Sequence, residues 1–304
     1  MTETGTGDKI AVQVDGRSLT LTNLAKVLYP ADGFTKAEVL DYYQRISAVL
    51  LPHIADRPMT LRRYPHGVGD LSFFAKHAPA KHPDWLRTEE VVSHSSRARE
   101  PGAPVRYLVI DDLPALIWAV NLAALELHVP MWRFADLGSG GDGSAAPDLL
   151  VFDLDPGAPA TIVECCRVAE ALRPVLEADG LRPLPKTSGG KGLQLYAPLS
   201  GKTAEQASEL ALRYAQRLER ELPRLVVSRM TKSARAGKVF IDWSQNNESK
   251  TTIAPYSLRA RDLPTVSTPV TWAEVAACRE VADLTFTAPD VLARVEAHGD
   301  LFAF

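Results

Sequence analysis

The run Asp148-Leu149-Leu150-Val151-Phe152-Asp153-Leu154 constrains the fold more than any other stretch of this chain. Its apolar residues follow one another with little alternation, as in a strand covered on both faces. Such cover needs helices, and the flanking sequence supplies them. Residues 159–178 are amphipathic at helical spacing and end before Asp179-Gly180, where glycine can take a left-handed cap. A second helix is expected over 203–221, with strands over 193–199, 225–228 and 238–243. Interleaved strands and helices predict a compact α/β or α+β unit.

Upstream, Thr35 and Glu38 make a capping box. Val39, Leu40, Tyr43, Ile46, Leu50 and Ile54 then recur at helical spacing. A strand is expected over 57–64 and a buried apolar helix over 113–127. Residues 1–15 are expected as a flexible tail, 93–107 as an exposed loop, and 16–304 as one unit with an N-terminal lobe.

With 46% hydrophobic and 23% charged residues over 304 positions, wholesale disorder is excluded. Lys and Arg number 34 against 37 Asp and Glu, a net charge of −3. That excludes an indiscriminate basic coat for nucleic acid, but not an enzyme with a local basic track. The start MTETGTGDKI holds no apolar leader, and the run 113–127 is interrupted by Asn121 and Glu126 and too short to span a bilayer. No membrane role is expected, and the protein is placed in the cytoplasm. Cys165, Cys166 and Cys278 form neither a CxxC pair nor a zinc spacing, so they are expected as reduced thiols.

Two glycine-rich stretches imitate nucleotide motifs. Gly138–Gly143 matches GxGxxG but runs into Ala145-Ala146-Pro147 and a strand, where a dinucleotide fingerprint would open a helix. Ser188-Gly189-Gly190-Lys191-Gly192 lacks the Walker A spacing. Its glycines still let backbone N–H groups approach an anion, and Ser188 and Lys191 suit phosphate.

Asp153 and Asp155 lie two residues apart on one expected strand, so both carboxylates face the same side. A divalent cation would relieve their repulsion; alternatively, Asp155 caps a turn before Pro156. Asp242 ends another apolar run, Val239-Phe240-Ile241-Asp242. From Arg229 to Arg261 there are seven bases and two acids, Asp242 and Glu248. Carboxylates on a rigid platform beside a basic track suit two-metal phosphoryl transfer. On its own, Asp242 equally suits an ion pair with Arg235 or Arg259. Arg62 and Arg63 share a strand, and Phe73-Phe74 precedes Lys76-His77, a mixture suited to base stacking beside phosphate neutralisation. His128, at the end of the apolar helix, is either a core histidine or a ligand contact.

These blocks together resemble the polymerase domain of the bacterial non-homologous end-joining ligase D, within the archaeo-eukaryotic primase superfamily. The likeness is carried by Asn23-Leu24-Ala25-Lys26, Phe73-Phe74-Ala75-Lys76, Leu125-Glu126-Leu127-His128, Phe152-Asp153-Leu154-Asp155-Pro156-Gly157, Thr187-Ser188-Gly189-Gly190-Lys191-Gly192-Leu193, Phe240-Ile241-Asp242-Trp243-Ser244 and Tyr256-Ser257-Leu258-Arg259. It implies a primase-polymerase fold with two Mn²⁺ or Mg²⁺ ions on Asp153, Asp155 and Asp242. It assigns the incoming nucleotide to Arg62, His128, Ser188, Lys191, Gln194 and Arg259. DNA would be held by Asn23, Lys26 and Lys36 at a 5′-phosphate, by Phe73 and Phe74 on the template, and by Arg235 near the primer.

The activity implied is templated and untemplated nucleotidyl transfer onto DNA ends and short gaps during double-strand-break repair, with ribonucleotides preferred. The partners implied are 5′-phosphorylated DNA, NTP or dNTP, Ku and a DNA ligase. The protein would act near the bacterial nucleoid, as a monomer or paired across a break. Two departures stand out. Gln194 occupies the place of a family histidine, and a neutral hydrogen bond of about 1 kcal/mol replaces a charge-assisted one of roughly 1.5–3 kcal/mol. Weaker nucleotide binding with the chemistry retained is therefore expected. No ligase-type KxDG lysine is found, so the chain is expected as a stand-alone relative or an excised domain. Two rival functions are a DxD phosphatase, in which Pro156 breaks the DxDx[TV] pattern, and a non-catalytic factor that bridges DNA ends.

Overall fold

Hairpin β1 (Lys9–Val14) and β2 (Arg17–Thr22) opens the part of the chain that the computed structural model describes, residues 9–92, 103–140 and 144–304. The tail expected over 1–15 is therefore a strand from Lys9 onward, while residues 1–8 lie outside the described part. Its turn is Asp15-Gly16, both at positive φ, the conformation that a two-residue hairpin turn demands. Short strands β3 (Val27–Tyr29) and β4 (Phe34–Thr35) lead into α1 (Lys36–Ile54), where the Thr35/Glu38 capping box forms as expected.

β5 (Thr60–Arg63) and β6 (Phe73–Ala75) follow, then the hairpin β7 (Thr88–Val92) and β8 (Pro104–Leu108). β5 starts later than the strand expected from residue 57, because Asp56 takes φ +59 and the Arg57 N–H closes a turn on the Ile54 carbonyl. Within the loop expected over 93–107, residues 104–107 instead belong to β8, and 93–102 lie outside the described part. The helix expected over 113–127 is also corrected. α2 (Leu113–Asn121) stops, Ala123 takes φ +58, and β9 (Ala124–Val129) departs as a strand. Asn121 ends the helix with its amide bonded to the β2 backbone at Thr20 and Thr22. A run buried on all sides carries no periodicity to separate helix from strand.

β10 (Leu149–Pro156) is the strand that the apolar run predicts. α3 (Ile162–Ala178) begins at a Thr161/Glu164 capping box, two residues after the Pro159 that closes a loop, and so is shorter than the 159–178 expected. β11 (Leu184–Thr187), β12 (Leu193–Pro198), α4 (Ala204–Glu221), β13 (Val226–Val227), β14 (Val239–Asp242), β15 (Thr252–Ile253), α5 (Trp272–Ala277) and α6 (Ala288–His298) complete the chain. Gly138–Gly140 lies in a turn, and 141–143 fall outside the described part.

Two sheets carry the molecule: β11-β12-β10-β14-β13 and β15-β9-β5-β6. All their pairings are antiparallel except β13 with β14. Leu150, Phe152 and Leu154 of β10 pack into a core with α3 and α4, the three cysteines included. Val151 faces the other way, against Met131, Tyr196 and Phe302. That second apolar cover ends there. Asp153 and Asp155 follow at two-residue intervals on the same face as Val151, so the sheet is covered on both sides up to the point where its carboxylates begin. The second sheet packs on α1 and α2. Among the described residues, no helix is long and apolar enough to cross a membrane.

Candidate active site

One transverse row crosses four strands of the larger sheet. Lys186 on β11 pairs with Gln194 on β12, Gln194 with Asp153 on β10, and Asp153 with Asp242 on β14. Directly opposed residues share a face, with Cβ atoms about 5 Å apart. The register thus brings together Asp153 and Asp242, which are far apart in sequence. Asp155, two residues on, shares that face and lies opposite Phe240.

None of the three carboxylates is ion-paired among the described residues, so the alternative of Asp242 paired with Arg235 or Arg259 does not hold here. Asp242 is fixed by hydrogen bonds: Oδ1 accepts from the Ser244 N–H and hydroxyl, and Oδ2 from Gln245 Nε2 at 3.1 Å. Gln194 Nε2 donates to Asp153 Oδ1 at 3.0 Å. Burial, reinforced by Asp155, pushes the Asp153 carboxyl well above the usual carboxylate range, and burial with Asp242 raises that of Asp155. Charge crowded into one place without a counter-ion is what a divalent cation would relieve. The donors are hard carboxylate oxygens, which fit Mg²⁺ or Mn²⁺ and not a soft metal. Among the described residues no three His, Cys, Asp or Glu side chains close into a ready cage.

A second cluster stands on the smaller sheet. Glu126 on β9 pairs with Arg62 on β5, and His128 follows two residues on, facing the same way. His128 is therefore a strand residue and not the end of a helix. The buried Glu126 carboxylate serves four groups. Oε2 meets His128 Nε2 at 3.0 Å and Arg62 Nη1 at 3.6 Å; Oε1 accepts from Arg259 Nε at 3.3 Å and the Ala260 N–H at 3.1 Å. Burial raises the Glu126 carboxyl, but His128 and Arg259 outweigh it and hold the group at about 2. The His128 imidazole is pushed down, by burial before anything else. Arg259 also donates from Nη1 to the Ser188 carbonyl at 2.9 Å, joining this cluster to the turn between β11 and β12.

That turn is built on Ser188, whose hydroxyl accepts from the Gly190 and Gly192 N–H groups. Two amides expected to face a phosphate are thereby engaged by the turn itself. Lys191 is exposed and makes no hydrogen bond or ion pair among the described residues. Gly189 stands at φ +65, and a Cβ there would meet Arg259 Cγ and the Val266 backbone at 2.6 Å. Gln194 is buried between Asp153 and Lys186, whose Nζ donates to its Oε1 at 2.5 Å.

Phe73 and Phe74 are 47% and 57% exposed on β6. Arg63 lies over the Phe73 ring and Arg62 over Phe74, while Phe74 meets the His128 ring edge-on. Arg235 lies over Phe240 at 3.7 Å and donates to the Met230 carbonyl. Its backbone packs on Gly157, where a Cβ would come within 2.0 Å of the Arg235 carbonyl oxygen. Asn23 and Lys26 lie before β3, and Lys36 opens α1 beside them. The Lys26 N–H bonds the Asn23 carbonyl, the Lys36 N–H bonds the Lys26 carbonyl, and Lys36 Nζ donates to Thr22. Burial first, then Lys26, pushes the Lys36 ammonium down to about 8.

Sequence reasoning did not single out Glu126 or Lys186. Leu125-Glu126-Leu127-His128 alternates with period two, and that alternation was the available signal. Lys186 carried none, since a lysine beside glycines suggests an exposed phosphate contact.

The family model for the LigD primase-polymerase domain matches residues 35–302. The multifunctional non-homologous end joining protein LigD of Mycolicibacterium smegmatis is 48% identical over 284 residues, 93% of this chain and 35% of that protein. The bifunctional non-homologous end joining protein LigD of Bacillus subtilis is 32% identical over 283 residues, 92% of this chain and 43% of that protein. The chain thus spans well under half the length of these curated relatives. Among solved structures, the polymerase domain of Mycobacterium tuberculosis ligase D in complex with DNA superposes with a TM-score of 0.83 at 47% identity, covering 93% of this chain and 96% of that one.

Proposed function

This chain belongs to the LigD primase-polymerase domain family, and from that membership we propose that it is a nucleotidyltransferase that extends primer 3′-ends at DNA breaks and short gaps. The observation that carries the reading is the β10–β14 register, which sets Asp153 opposite Asp242 with Asp155 beside them. Two Mn²⁺ or Mg²⁺ ions bound by these carboxylates would favour ionisation of the primer hydroxyl and steady the departing pyrophosphate.

The remaining work falls to the chain's own groups. Asp153 and Asp155 hold negative charge that the hydrogen-bonded Asp242 completes. Arg62, Arg259, Ser188 and Lys191 receive the triphosphate, and their positive charge opposes its repulsion. Gln194 belongs to this site through Asp153. His128 faces the sugar: because Nε2 bonds an ionised carboxylate, which can only accept, Nδ1 is left as the acceptor for a hydroxyl in the neutral ring. That arrangement suits the extra hydroxyl of a ribonucleotide. Phe73 and Phe74 offer stacking surfaces to template bases, and Arg235 lies where the primer would pass. Asn23, Lys26 and Lys36 take the 5′-phosphate on the far side of the gap. Residues 9–304 would form the catalytic unit, since β1 pairs along β2, with Ku and a DNA ligase as partners in the bacterial cytoplasm.

The test is the Asp153→Ala/Asp155→Ala variant on a gapped, 5′-phosphorylated duplex. Extension should be lost while binding to the gap persists. Persisting extension would refute the carboxylate assignment. Release of free phosphate without pyrophosphate would favour a phosphatase, and gap binding by a wild-type protein that extends nothing would favour an end-bridging factor.

A further inference from the structure

Lys186 is a buried basic group that the reaction above does not use. It is 0% exposed, and among the described residues no carboxylate touches it. Its amino group nevertheless makes two hydrogen bonds. It donates to Gln194 Oε1 at 2.5 Å and to Ser267 Oγ at 2.6 Å, and it lies 5.2 Å from the centre of the Tyr196 ring. Ser267 is itself buried and passes its own hydroxyl proton to the Thr187 carbonyl at 3.0 Å, so it acts toward Lys186 as an acceptor.

The Gln194 NH₂ faces Asp153 and its oxygen faces Lys186. We propose that Lys186 is a positioning residue that acts through Gln194 to hold Asp153 Oδ1 in place, leaving Oδ2, which has no donor among the described residues, available to the reaction. The whole relay lies along one sheet row, Lys186–Gln194–Asp153–Asp242, so it is rigid as well as short. It rests on the nucleotidyl-transfer reading.

The relay also accounts for glutamine at position 194. What lies between Lys186 and Asp153 must accept on one side and donate on the other. A carboxamide does this, and so does a neutral imidazole, with one ring nitrogen in each role. Leucine of similar size does neither.

The test is gap filling by wild type, Lys186→Met, Gln194→Leu, Gln194→His and the Lys186→Met/Gln194→Leu double variant, with kcat and nucleotide KM separated. Each variant's Tm is recorded, and hydrogen exchange of the Gln194 side-chain amide is followed in the metal-free protein. Lys186→Met and Gln194→Leu should each lower kcat about 30-fold and change nucleotide KM less than about threefold. The double variant should lose no more than either single one, because both break the same relay. Gln194→His should recover most of what Gln194→Leu loses, and Lys186→Met should speed exchange of the Gln194 amide at least about tenfold.

Additive losses, a change confined to KM, equal activity of the leucine and histidine variants, or unaltered amide exchange would overturn the relay. If Lys186→Met does not fold, the leucine and histidine pair decides alone. Wild-type protein that extends no primer would instead overturn the nucleotidyl-transfer reading, and the exchange measurement would still judge the relay.

Discussion

Glu126 shows how one buried carboxylate can gather cationic groups from separate parts of the chain. Its two oxygens align Arg62, His128 and Arg259 from three separate segments and satisfy the Ala260 N–H. Holding this carboxyl from its ordinary 4.5 down to about 2 corresponds to about 3 kcal/mol of stability. With a depressed carboxyl pKa, that contribution is complete above pH 4.5 and disappears as pH falls toward 2. Glu126→Ala is therefore expected to cost about 3 kcal/mol in urea denaturation at pH 7, and clearly less at pH 3; an equal cost at both would contradict the assignment. Lys36 gives a second test with the opposite sign. A phosphate dianion binds the protonated ammonium, and burial with Lys26 brings that ammonium down to about 8. Affinity for a 5′-phosphorylated end should then weaken about tenfold between pH 7 and pH 9. A 5′-hydroxyl end should show no such trend, and a flat profile for the phosphorylated end would remove Lys36 from the pocket.

At the scale of elements, what was legible depended on whether local signals had competitors. The Thr35/Glu38 box begins α1 because capping is decided within four residues. β10 declared itself through its unbroken apolar run, and Asp153 and Asp155 through their two-residue spacing. The 113–127 run misled because a segment buried on every side loses its period, and only the turn at Ala123 divides helix from strand. Glu126 was hidden by the same error, since its alternation with His128 has meaning only in a strand. The Asp15-Gly16 turn was legible and passed over. The partnership of Asp153 with Asp242 is different in kind: strand register is set by long-range pairing, and no local pattern encodes it. The β11–β12 turn makes its own demand. Gly189→Ala would place a side chain at φ +65 against the Val266 backbone, so a loss of about 2 kcal/mol is expected from strain and displacement together. Nucleotide KM should rise with it, because Arg259 packs on the same glycine. Unchanged stability would show that the turn can relax.

Across the whole molecule, the three carboxylates proposed for catalysis and the cationic cluster stand on different sheets with largely separate cores. Arg259 spans the gap, bonding Glu126 on one side and the Ser188 carbonyl on the other. The net charge of −3 averages over the stretch from Arg229 to Arg261, which holds seven bases against two acids. Such a surface should bind DNA with modest, salt-sensitive affinity and draw its selectivity from the 5′-phosphate pocket. The central claim, that these two halves together transfer nucleotides, is tested most directly by primer extension on a 5′-phosphorylated gap with Mn²⁺, with ribo- and deoxynucleotides offered in parallel and pyrophosphate measured. Extension with stoichiometric pyrophosphate is expected, faster with ribonucleotides. Gap binding without extension, or phosphate released in place of pyrophosphate, would contradict it.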